Sequence, residues 1–63
     1  MQNPTVFTVP QTAQYLNLPV SKVYELVRVK DFPAVKLGKS WRILKDRLDQ
    51  WLIKQLDEKQ DNI

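Results

Sequence analysis

Val35-Lys36-Leu37-Gly38-Lys39-Ser40-Trp41-Arg42-Ile43 alternates apolar side chains with basic or small polar ones on both sides of a Gly-Lys pair. Alternation is the period of a strand, and a two-residue loop with Gly first is the type II′ turn, whose twist matches its flanking strands. The stretch predicts a short β-hairpin. Alternation places Val35 and Leu37 inward on the first strand and Trp41 and Ile43 inward on the second. Lys36, Ser40 and Arg42 then face out, with Lys39 at the tip. Two readings fit a cationic outer face: lysines guarding an exposed edge strand, or a surface for a polyanion. The flanking sequence bears on that choice.

Upstream, Thr8-x-x-Gln11 has the form of a capping box, and Pro10 falls in the first turn, where a missing N–H costs nothing. A first helix is predicted from there, with Val9, Ala13 and Leu16 on its apolar face and Phe7 placed to staple onto its first turn. Asn17-Leu18-Pro19 ends it, because Asn tolerates the left-handed conformation and Pro19 holds Leu18 extended. A second helix is predicted from about Val20 to Val29, burying Val23, Leu26 and Val27 and showing Ser21, Lys22, Glu25 and Arg28. The connection is so short that the two helices must cross tightly, as in a helix-turn-helix. Downstream, Leu48, Trp51, Leu52 and Leu56 share a stripe with Ile53 beside it, which predicts a third helix fraying after Leu56. The expected order is helix, turn, helix, hairpin, helix. The fold class is mainly α with a small two-stranded wing, a winged helix-turn-helix in one domain of residues 1–63. Its core should span about 6–56, preceded by an extended leader from Met1 and followed by a polar tail, 57–63.

Sixty-three residues allow one small core that supplies roughly 3–5 kcal/mol. The chain has neither Cys nor His. Thiol and imidazole catalysis and the ordinary zinc ligands are therefore excluded, and Glu25, Asp31, Asp46 and Asp49 are scattered over faces predicted to be exposed. No enzymatic activity, cofactor or metal is expected. No apolar run approaches a membrane span and no signal pattern opens the chain, so a cytoplasmic location is expected. The charge is uneven. Residues 1–19 carry none, residues 20–47 carry eight Lys or Arg against three Asp or Glu, and residues 48–63 carry two against four. Cations concentrated on the middle elements are the footprint of a polyanion binder.

The runs Thr8 to Leu18, Val23-Tyr24-Glu25-Leu26-Val27, Phe32 to Gly38, Trp41-Arg42-Ile43 and Leu48-Asp49-Gln50-Trp51-Leu52 resemble, in order and spacing, the excisionase-type, MerR-like DNA-binding domain family. The resemblance covers about Val6 to Leu52. It implies that helix two docks in the major groove of duplex DNA and the wing in the minor groove. Val20, Ser21 and Lys22 would then read base edges, while Arg28 suits phosphates. Lys39 would enter the minor groove, flanked by Lys36, Ser40 and Arg42. Tyr24 has two readings, a phenol bonding phosphate or a ring covering the edge of the core. Glu25 likewise has two, accepting from a cytosine amine or pairing with Lys22 or Arg28. The family usually places Gly-Val-Ser and then Arg where Asn17-Leu18-Pro19 and Val20-Ser21-Lys22 stand, which implies weaker base readout here. Members include excisionases, which bend attachment-site DNA, self-associate cooperatively and work with an integrase. The C-terminal helix and tail, Lys54 to Ile63, would be the integrase contact. Small transcriptional regulators of mobile elements, and a winged-helix protein-interaction module that binds no DNA, are the alternative readings.

Overall fold

A computed structural model describes residues 5–60, without the side chains of residues 59 and 60. Met1 to Pro4 of the expected leader, which ran to Phe7, and Asp61 to Ile63 of the tail lie outside the described residues. The elements are β1 (Val6–Phe7), α1 (Val9–Leu16), α2 (Val20–Leu26), β2 (Ala34–Leu37), β3 (Ser40–Leu44) and α3 (Lys45–Gln60). The winged helix-turn-helix is thus present, and β1 adds a third strand to the wing in the antiparallel order β1-β3-β2.

Helix α1 is bounded by its own sequence. Gln11 N–H donates to Thr8 Oγ1 at 3.3 Å, and Thr8 N–H donates to Gln11 Oε1 at 2.9 Å, completing the capping box. At the other end Asn17 adopts φ 58°, ψ 46°, and Leu18 N–H donates to Ala13 O at 2.9 Å, so the turn terminates the helix on its own carbonyls. Helix α2 starts at Pro19, whose φ of −65° and ψ of 150° present the first free carbonyl to Lys22 N–H at 3.0 Å. It ends three residues before the predicted Val29. Arg28 and Val29 donate to Glu25 O and Leu26 O, closing the element with tighter i to i+3 turns.

Strand β3 is central and carries the core face. Ile43 is fully buried between its partners Phe7 on β1 and Ala34 on β2. Val9 and Ala13 of α1, Val23 and Val27 around α2, Phe32 and Leu48 close over it, with Trp41 and Trp51 packed at the margin. The rings of Phe32 and Trp51 meet edge to face with centroids 5.0 Å apart. Among the described residues Thr12 is the buried polar one, and its hydroxyl donates to Thr8 O at 2.9 Å.

Two expectations are corrected here. The predicted facing of the first hairpin strand is reversed. A two-residue loop sets Leu37 opposite Ser40, which sets Lys36 opposite Trp41 and Val35 opposite Arg42. Cross-strand partners share a face. Lys36 therefore lies on the Trp41 and Ile43 side, its ammonium 5.8 Å from the Trp41 ring centroid, while Val35 and Leu37 are exposed on the outer side with Ser40 and Arg42. The second correction concerns α3. Leu48 is buried and Trp51 half-buried, but Leu52, Ile53 and Leu56 are exposed, and the helix runs through Gln60 instead of fraying after Leu56. The globule ends near Trp51, so the later turns of this long helix extend past anything that could cover them.

A polar clasp ties α1 to α3. Tyr15 OH donates to Asp49 Oδ1, and Lys45 Nζ donates to Asp49 Oδ2 at 2.9 Å while lying 5.5 Å from the Tyr15 ring centroid. Phe7, expected at the first turn of α1, stacks at a tilt on Tyr15 at 5.1 Å. The hydrogen bond from Tyr15 and then that from Lys45 hold the Asp49 carboxyl below its usual range, and the bond to Asp49 raises the Lys45 ammonium above its own. A depressed carboxylate stabilises the folded state above its unfolded value and loses that contribution as pH falls through the folded one. A raised ammonium loses its contribution as pH rises past its unfolded value. Stability is therefore expected to fall below about pH 4 and above about pH 10. Asp49→Asn should remove part of the acid-side loss in urea midpoints measured across pH, and an unchanged acid limb would dismiss the clasp.

Candidate nucleic-acid interface

The start of α1, helix α2 and the hairpin converge on one open cleft of about 450 Å³. Thr8, Val9 and Pro10 form one wall, Tyr24 another, and Lys36, Lys39, Ser40, Trp41 and Arg42 the hairpin side. Three cations and a phenol line it, and no carboxylate does. Its shape follows from local rules. The capping box sets where α1 begins, and the turn at Gly38, with φ +63° and no other positive φ in the hairpin, aims Lys39 outward at the tip. The hairpin register brings Lys36 in from the core side of the sheet, the side on which Trp41 also stands. Arg42 starts from the outer side and curls around the free end of β3, where its guanidinium donates to Trp41 O at 2.9 Å. Strand β1 stops at Phe7, so no strand pairs with β3 before Ile43 on that edge.

A second, shallower groove runs along α2 between Ser21, Tyr24, Glu25 and Arg28. Tyr24 borders both concavities and is exposed, which favours the polar role among its two sequence readings over covering the core. Val20 and Lys22 are exposed at the start of α2, outside both grooves. Lys22 Nζ lies 3.6 Å from Glu25 Oε1, so the i, i+3 pairing of Glu25 is present; as an exposed pair it holds these side chains weakly.

Of the residues singled out in the sequence, Tyr24, Lys36, Lys39, Ser40 and Arg42 share the cleft, and Ser21, Tyr24 and Arg28 share the groove. Val9, Pro10 and Trp41 were not among them, although they line the cleft. The turn signal held the information for Trp41, because the loop length fixes its opposition to Lys36. Thr8 is an indirect member, since its hydroxyl and the Gln11 amide are already engaged in the cap.

Among the described residues no helix is long and apolar enough to cross a membrane. A family model described as "Helix-turn-helix domain" matches residues 6–56. Comparison with curated proteins and with solved structures returned no match.

Proposed function

The chain belongs to the helix-turn-helix domain family, and from that premise we propose that it is a sequence-selective binder of double-stranded DNA serving a phage or other mobile element as an excisionase. In this reading it binds and bends attachment-site DNA in the cytoplasm and favours excision over integration. The observation that carries it is the cleft in which Lys36, Lys39 and Arg42 meet Tyr24 with no carboxylate in the lining. Three cations at that spacing suit backbone phosphates, and an exposed helix start beside them suits base edges. Val20, Ser21 and Lys22 read bases. Tyr24, Arg28, Lys36 and Ser40 hold phosphates, and Lys39, with Arg42 behind it, reaches toward the minor groove.

Cooperative contact between copies and an integrase contact through the C-terminal helix and tail complete the proposal. A single module of this kind covers only about 600–1,000 Å² and needs help to be specific. The test is a titration of the full chain into labelled duplexes carrying the DNA that flanks its gene. One duplex series is permuted so that bending changes gel mobility. Retardation that depends on the position of the site supports the excisionase reading. Binding without bending supports a regulator, and no preference for duplex over single-stranded DNA overturns both.

A further inference from the structure

The outer face of the sheet is apolar, and among the described residues nothing covers it. Val6 and Leu44 are cross-strand partners there, beside Val35 and Leu37, in a groove flanked by Arg42 and Arg47. Val35 and Leu37 keep 54% and 61% of their surface exposed. Among the described residues the ion pairs are Lys22 with Glu25 and Lys45 with Asp49, so neither arginine is held by a carboxylate; Arg42 also lines the cleft described above, and Arg47 a groove beside Asp31. The chain carries a second uncovered apolar surface of opposite electrical character. Ile53 and Leu56 of α3 are 59% and 56% exposed, with Leu52 beside them. At about 100° per residue these three lie on one third of the helix, with Asp57 next to Ile53. The C-terminal end of a 16-residue helix adds the negative pole of its dipole.

We propose that the outer sheet face, Val6, Val35, Leu37 and Leu44 with Arg47 at its rim, docks the Leu52-Ile53-Leu56 stripe and Asp57 of a second copy, head to tail. The partner is another copy because α3 leaves β3 directly at Lys45 as one unbroken helix. Leu56 is thereby carried about 16 Å along the axis from its own sheet, with no bend to bring it back. Apolar meets apolar and acidic meets basic only in this heterologous arrangement; two sheet faces would set Arg47 against Arg47. A heterologous contact between two copies leaves one sheet face and one helix stripe free, so further copies can add in a row. Both surfaces are small beside the roughly 1,000 Å² of a stable interface, so the contact is weak between free copies. It gains strength where copies are held side by side. This names the surface for the self-association in the reading above and rests on that reading only for its use on DNA.

The experiment is carried out without DNA, so its outcome and that of the DNA titration are separate. Amide spectra of the full chain are followed from micromolar to millimolar concentration, with sedimentation equilibrium in parallel. Val35, Leu37 and Leu44 are expected to shift together with Leu52 to Asp57, while α2 stays still. Leu37→Asp and Leu56→Asp each spoil one surface at an exposed position, so each should remain folded and monomeric. An equimolar mixture should form a 1:1 dimer that grows no further, because one intact sheet face and one intact helix stripe remain. Shifts confined to one surface, a mixture that stays monomeric, or no concentration dependence up to millimolar would each overturn the proposal.

Discussion

Replacing Lys36, Lys39 and Arg42 together by Ala is expected to flatten the salt dependence of duplex binding while leaving the fold intact. These side chains line one cleft without a carboxylate. Each phosphate neutralised by a cation contributes about 0.9 to the slope of log affinity against log salt, so three contribute about 2.7. Over a fourfold rise in salt, from 50 to 200 mM, the unsubstituted chain should lose about 40-fold more affinity than the variant. The loss at fixed salt should also be nearly uniform across duplex sequences, because phosphate contacts carry no sequence information. Lys22→Ala or Ser21→Ala should behave differently, changing which duplex is preferred more than how steeply salt weakens binding. Fluorescence anisotropy at several salt concentrations measures both quantities. If the triple variant keeps the original slope, the cleft is not where the backbone lies.

Ile43→Ala is expected to unfold most of the chain. Ile43 is fully buried on the central strand, opposite Phe7 on one side and Ala34 on the other. Truncating such a residue costs about 2–5 kcal/mol in lost burial and residual cavity. A core of this size supplies only about 3–5 kcal/mol in all. The two figures nearly cancel, and thermal denaturation followed by circular dichroism should show a broad, low transition or none. Leu56→Ala is the matched comparison. It removes the same class of side chain from an exposed position and should change stability by no more than about 0.5 kcal/mol. A cooperative melt for Ile43→Ala close to that of the parent chain would mean that β3 is not the keystone of the core.

Local chemistry was legible in the sequence and long-range pairing was not. The box between Thr8 and Gln11, the left-handed Asn17 and the turn at Gly38 each rest on residues within a few positions of one another. Their conformations are set by which backbone groups a neighbouring side chain can reach, and they fell where expected. Strand β1 is different. Two residues, Val6 and Phe7, have no periodicity to display and become a strand because the edge of β3 offers Leu44 and Ile43 as partners. Part of the third helix was misjudged for a related reason. Helical spacing put Leu48, Leu52 and Leu56 on one stripe, but burial needs a neighbour, and the neighbours stop near Trp51.

The hairpin divides the two kinds of knowledge most clearly. That Val35 to Ile43 is a hairpin turning at Gly38-Lys39 follows from the chain alone, because alternation and a left-handed glycine are local properties. The same turn implies the register, since a two-residue loop leaves Leu37 opposite Ser40, and the expectation that Val35 and Leu37 share a face with Trp41 and Ile43 ran against it. Which face turns inward depends instead on what packs against the hairpin. Both faces of the hairpin carry apolar side chains, and alternation cannot choose between them. Helices α1 and α3 chose by packing on the Trp41 and Ile43 side, where Ala34 is small enough to lie beneath them. That choice carried Lys36 across to the cleft and left Val35 and Leu37 uncovered. The cleft proposed for DNA and the groove proposed for a second copy both follow from that one packing decision.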